Sequence, residues 1–134
     1  MSIDDQINKL NSVVKFRIAP SKIHGVGVFA ISDIFKGQKL WATEFPQAYK
    51  ISPGSLSKLF PEVKELLLER NCQMVNGTPF MWPDCHAQAY MNHSDDPNYD
   101  ANLDYALRDI VKNEEITENY KLIPGHEEVF PWLK

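Results

Sequence analysis

The chain has 134 residues, 43% of them hydrophobic, which is enough for one globular domain with a modest core and too few for separate cofactor and substrate domains. Its 14 basic and 18 acidic residues give a formal net charge of −4 with no block of like charges. That balance excludes the basic excess of a phosphate-tracking, nucleic-acid-binding surface and suits a basic protein partner instead. Taken in chain order, "VVKFRIA" (13–19) and "GVGVFAI" (25–31) predict short strands joined by a turn at "PSKIHG". After the turn "DIFKG", the alternation in "QKLWATEF" (38–45) predicts a third, half-buried strand. The period then changes in "SPGSLSKLFPEVKELLLERN", where Leu59, Val63, Leu66, Leu67 and Arg70 fall on helical spacings and Pro61 suits a first turn. "CQMVNGTPFMWPDC" carries an Asn-Gly turn between two apolar pieces, the mark of a small hairpin. From Asn98 onward "NYDANLDYALRDI" and "EITENY" predict two more strands around the turn "VKNE", followed by an irregular aromatic tail, "PGHEEVFPWLK". The expected class is therefore mainly β with one or two helices, and too little helix for a doubly wound sheet.

Compartment and membrane follow from the same reading. No apolar run approaches the roughly 18 residues that span a bilayer. "MSIDDQINKL" lacks the basic-then-apolar pattern of a secretory leader, and Cys72 and Cys85 have no CxxC spacing. The expectation is a cytoplasmic protein with free thiols and no membrane association.

Several residues invite chemical readings. Gly25 and Gly27 open a strand, whereas a dinucleotide fingerprint needs a third glycine and a following helix. A turn requiring positive φ and a close approach of backbone to a ligand both remain open for this pair. His93, Ser94 and Asp95 contain the letters of a hydrolytic triad, but consecutive side chains point apart and do not form a nucleophile–base–orienter relay. A metal site built from Cys85, His86, His93 and Asp95 lacks the spacings of structural zinc sites. Alone, His93 reads as a turn histidine satisfied by backbone, and Tyr120 as a strand residue with its ring inside and its hydroxyl at the surface.

Together, "HGVGVFA", "YMNHSDDPN" and "YALRDIVKNEEITENY" resemble, in this order, the glycine, Asn-His-Ser and closing-tyrosine motifs of the SET domain of protein lysine methyltransferases. The resemblance covers about residues 15 to 121. It implies small curved β-sheets, with the Asn-His-Ser and closing segments crossing in a knot-like arrangement, and a SET domain at 15–121 whose variable insert, 46–89, walls the substrate groove. Residues 1–14 would form an N-terminal extension and 122–134 an aromatic tail, for which two roles stay open: Phe130 and Trp132 fold back as a lid over the channel, or they merely dock on the surface. The family's cofactor, S-adenosylmethionine, would be bound by Lys22, His24, Gly25, Val26, Gly27, Asn92, His93 and Tyr120, with Tyr120 catalytic. The lysine channel would involve Tyr90, Tyr105, Glu118, Phe130 and Trp132. The implied partner is a protein with an exposed lysine, histone or histone-like or another basic protein, and not nucleic acid directly. The enzyme would be a monomer or homodimer, cytoplasmic or, in a eukaryotic or host setting, nuclear.

Two departures from the family pattern matter. Asp95 stands where many nuclear members place a zinc-binding cysteine, so no metal is expected and the domain resembles the minimal free-standing members from viruses and bacteria. Glu118 stands where many members carry Phe or Tyr. In contact with the substrate its carboxylate would favour the ammonium form of lysine; pointing to solvent it would do nothing. The first placement keeps open a different class of function, a SET-fold module that binds a lysine-bearing partner without turnover.

Overall fold

The computed structural model describes residues 1–41, 48–70, 72–82 and 87–133. The chain divides into two compact units, each assembled from two separated segments: Met1–Glu44 with Met91–Glu118, and Phe45–Tyr90 with Asn119–Lys134.

The first unit opens with α1 (Ile3–Val13), an element absent from the sequence expectation. Its cause is local: Ser2 Oγ accepts from Asp5 N while the Asp5 carboxylate accepts from Ser2 N, a capping box, and Asp4 and Asp5 complement the helix dipole. Strands β1 (Phe16–Pro20) and β2 (Val26–Ala30) form the expected antiparallel hairpin, in register from Phe16 opposite Ala30 to Pro20 opposite Val26. Two-residue strands β6 (Asn92–His93), β7 (Tyr99–Asp100) and β8 (Tyr105–Ala106) follow, then β9 (Glu115–Glu118). The four-stranded sheet runs β1-β2-β9-β6. In it β9 is antiparallel to β2 and parallel to β6, with Asn92 opposite Thr117 and His93 opposite Glu118. The two segments expected to cross thus lie side by side in one ladder. Val28, Ala30, Ile34, Leu40, Met91, Tyr99, Ala106, Ile110 and Ile116 form the core beneath it.

Two expected strands of this unit differ. Residues 38–41 are not a strand and 42–47 lie outside the described residues, although Leu40 is buried and its N–H donates to Asp104 Oδ1 at 2.9 Å. The run 98–110 is broken into the hairpin β7-β8 because the Asp100 carboxylate accepts from the N–H groups of Asn102 and Leu103 and Asp104 takes φ +56°. Asx-turn chemistry there outweighs the apolar alternation.

The second unit contains β3 (Tyr49–Lys50), β4 (Cys72–Val75) and β5 (Thr78–Met81) in the order β3-β5-β4. The β4-β5 hairpin turns at Asn76-Gly77, with φ +53° and +76°, the pair of positive angles a two-residue type I′ turn requires. The expected helix is divided: 53–58 form a 3-10 helix, Leu59 is extended, and α2 (Pro61–Arg70) begins at the proline. Pro61 disfavours helical geometry at Phe60, so the two helices do not run through as one. Of the apolar residues on the helical spacings, Val63 and Leu66 are exposed, whereas Leu67 is half-buried. Residues 120–122 form a 3-10 turn and α3 (His126–Val129) follows. Met74 N donates to Pro124 O at 3.1 Å, and Gly125, at φ +74°, passes so close to Met74 that a Cβ would strike its main chain. No helix among the described residues is long and apolar enough to cross a membrane.

Candidate active site

In the first unit the glycine motif is a turn with an unusual amount of side-chain support. Ser21 N donates to Gly25 O at 2.8 Å, and Ser21 Oγ accepts from Ile23 N at 2.9 Å. Gly25 sits at φ +50° with open space where a Cβ would be, so its glycine answers the turn geometry. Lys22, Ile23, His24 and Gly25 are exposed, Val26 is half-buried and Gly27 is buried.

Asn92 holds this turn from below. Asn92 is 3% exposed, and the two hydrogens of its Nδ2 are shared among four acceptors: His24 O at 3.2 Å, Val26 O at 3.0 Å, Ser21 Oγ at 3.1 Å and Glu115 Oε2 at 2.8 Å. Four acceptors around one atom fix the orientation of the amide, since an oxygen there would face only other oxygens. Glu115, which the sequence reading did not single out, completes the arrangement by accepting from Ser21 Oγ at 2.7 and 3.0 Å.

The second asparagine of "NHSDDPN" works in the same manner on β9. Asn98 is 2% exposed; its Nδ2 donates to Glu115 O at 2.8 Å and Glu114 Oε2 at 3.1 Å, while its Oδ1 accepts from Thr117 N at 2.9 Å. Nothing in the local sequence marks Asn98 or Glu115 for these roles, because the partners lie 16 to 94 residues away. Their signal was the motif order alone.

His93 has a side-chain partner that its sequence reading did not anticipate: its Nε2 lies 3.0 Å from Asp95 Oδ1. Ser94 Oγ accepts from Asp96 N at 3.1 Å, and Ser94 N donates to Glu118 O at 2.9 Å. Among the described residues no group of three or more His, Cys, Asp and Glu is placed to hold a metal ion; Cys85 and His86 lie outside them. Glu118 is 4% exposed at the end of β9, which rules out the solvent-pointing alternative. Tyr105 is half-buried in β8. Tyr99, beside them in sequence but not singled out, is buried, and its hydroxyl donates to Asp104 Oδ1 at 2.7 Å. Burial first, then Asp104, pushes its pKa far above the ordinary phenol value.

In the second unit Tyr120 follows β9 at the head of the 3-10 turn, where Asn119 Oδ1 accepts from Lys121 N at 3.0 Å; the strand expected to run through it ends at Glu118. The structure brings both tail aromatics to Tyr120. The Phe130 ring stacks on it at 4.7 Å between centroids and 25° between planes, and Trp132 meets it edge-on at 6.2 Å. Tyr120 is 8% exposed and Trp132 63%. Tyr90 ends the 3-10 helix 87–90 and is half-buried. Cys72 is a buried free thiol whose pKa is pushed up to about 11 by burial and, secondarily, by Glu128.

Comparisons with known proteins bear on this geometry. A search of curated proteins returns no match. A crystal structure from Plasmodium falciparum, described as that of a "putative histone methyltransferase", shares the fold with a TM-score of 0.52 at 23% identity, over 79% of this chain and 92% of that one. The model of the SET domain matches residues 25–121, from the glycine turn through Tyr120. With the motifs, the small sheets and that match in agreement over most of its length, the chain belongs to the SET-domain family, whose members are generally methyltransferases.

Proposed function

We propose that the protein transfers a methyl group from S-adenosylmethionine to the lysine side chain of a protein. The observation that carries this reading is the hold of Asn92 on the turn 21–26. A buried amide that fixes two backbone carbonyls of an exposed glycine turn keeps that backbone in one shape while leaving its outer side open. Open space beside Gly25, the exposed residues Lys22 to Gly25, and a rigid support make a fitting cradle for an extended polar cofactor. When bound, S-adenosylmethionine supplies a methyl group carried on a positively charged sulfur.

The chain's own residues would do the remaining work. Lys22 to Gly27 would bind and orient the cofactor through main chain, with Asn92 and His93 acting from the neighbouring strand. Tyr120 would orient the incoming amine through its hydroxyl. An ordinary lysine, with a pKa near 10.4, is neutral in only about one molecule in a thousand at physiological pH. The rings of Phe130 and Trp132 on Tyr120 would exclude water and favour the neutral amine, whose lone pair attacks. The substrate would be a basic protein tail, in keeping with the chain's net charge of −4.

One observation favours a second reading. The buried carboxylate of Glu118, if it meets the substrate, stabilises a lysine ammonium and would suit a module that grips a lysine without turnover. Incubation of the protein with methyl-labelled S-adenosylmethionine and a proteome extract separates the two. Label is expected on lysines of one or a few proteins, and to be lost with Tyr120→Phe. Capture of the same proteins with no label would support the binding module and overturn the enzyme.

A further inference from the structure

Neither the turn's own sequence nor the proposed reaction makes any use of Glu115, yet it is the anion on which the two side chains that support the glycine turn, Ser21 and Asn92, both converge. Its carboxylate accepts the Ser21 hydroxyl at 2.7 and 3.0 Å and the Asn92 amide at 2.8 Å. Because the single Ser21 hydroxyl proton is committed to the carboxylate, the Ser21 oxygen faces the turn with its lone pairs only. There it accepts from Ile23 N at 2.9 Å and Asn92 Nδ2 at 3.1 Å, with His24 N at 3.5 Å. Hydrogen bonds therefore point one way, from the turn's N–H groups into Ser21 and from Ser21 into Glu115. Chains of this kind that end on an ionised acceptor are stronger than their neutral equivalents.

Gly27 is fitted to the same carboxylate. A Cβ at 27 would overlap the Glu115 carboxylate and stand 3.0 Å from Asn92 Nδ2. Gly27 has an ordinary negative φ, unlike Gly25, so no backbone conformation demands glycine there. The two glycines of the motif hence have separate causes: Gly25 answers the turn, and Gly27 makes room for Glu115.

We infer that Glu115 is a positioning residue that, through Ser21 and Asn92, locks the turn 21–27 in the shape that receives the cofactor. This deepens the proposed function and rests on it. A charge is needed as well as a shape. In Glu115→Gln the side chain has one acceptor oxygen in place of two, and its amide hydrogens would oppose either the Ser21 hydroxyl proton or the Asn92 amide.

The test uses the full chain, S-adenosylhomocysteine as calorimetric probe, and hydrogen exchange at the amides of Ile23 and His24, with the Ile34 amide, which donates to Ile110 O, as a remote control. Glu115→Gln is expected to weaken binding about tenfold or more and to speed exchange at Ile23 and His24 by a similar factor, with Ile34 unchanged. A double-mutant cycle gives an independent arm: Gly27→Ala should cost less stability in a Glu115→Ala background than in the native chain, because the obstructing carboxylate is gone. Unchanged exchange and unchanged binding in Glu115→Gln would overturn the inference, as would an equal acceleration at Ile34, which would make Glu115 a residue of the general fold. Local acceleration in a protein whose native form binds no S-adenosylhomocysteine would retain the lock and remove the cofactor reading.

Discussion

Two asparagines, Asn92 and Asn98, occupy the motif that first suggested chemistry, and both set their amides between backbone groups and a glutamate carboxylate. Their side chains organise the segments on either side of Glu115, so Asn92→Ala is expected to weaken S-adenosylhomocysteine binding while lowering the unfolding temperature, a joint effect visible when calorimetry and thermal melts are run on the same sample. Tyr120 behaves differently under substitution. Tyr120→Phe keeps the ring that Phe130 and Trp132 contact and removes only the hydroxyl, so the fold and cofactor affinity should persist while labelled methyl transfer falls by two orders of magnitude or so. Cys72 provides a prediction independent of any function. Its folded pKa, about 11, lies above the ordinary 9.0, so the folded protein keeps its proton in a range where the unfolded chain loses it. Stability from this group is fully present below pH 9 and falls as pH rises from there to about 11; Cys72→Ala should remove that slope in denaturant melts across the window.

At the scale of elements, α3 and the tail are tied into β4. Gly125→Ala combines a left-handed φ with overlap on the Met74 main chain and should cost about 2 kcal/mol or more in urea titration, since neither the angle nor the backbone can yield cheaply. Phe130→Ala should cost about 2 kcal/mol, roughly half the value for a fully buried ring, and Trp132→Ala well under that because the indole is largely exposed. Elements whose signal is local were legible in the sequence. The β1-β2 hairpin and the Asn76-Gly77 turn are written in adjacent residues, and Pro61 marks the start of α2. The capping box of α1 was equally local, but a helix with no buried residue has no core-facing stripe to draw attention to it. The site was legible only in part. Gly25 announces a turn, whereas Gly27 is explained by Glu115, 88 residues on, and the orientation of Asn92 by carbonyls 66 and 68 residues before it. Strand pairing of that range depends on the whole chain and leaves no periodic trace near either partner.

Across the whole molecule, both compact units are discontinuous in sequence. The first draws Val28, Ala30, Ile34 and Leu40 from its N-terminal segment and Met91, Tyr99, Ala106, Ile110 and Ile116 from the segment that begins at Met91, so neither half can bury its apolar side chains alone. A fragment 1–90 should therefore give a collapsed amide region in its NMR spectrum, and mixing it with 91–134 should restore dispersion for at least part of β2. The second unit has the same construction: the 45–90 stretch contributes β4, and the stretch after 118 contributes Tyr120, α3 and the tail that β4 hydrogen-bonds through Met74. Recombination between relatives is constrained by this interlock. A chimera that imports a foreign 45–90 stretch but keeps the native C-terminal stretch would set an unmatched strand against Pro124 and Gly125, and would disturb the residue neighbours of Tyr120 in the process. Exchanging both stretches as one heritable block leaves the Ser21–Asn92–Glu115 support untouched, so crossovers tolerated in the laboratory should fall near residues 45, 90 and 119 and be sparse within β4 and α3.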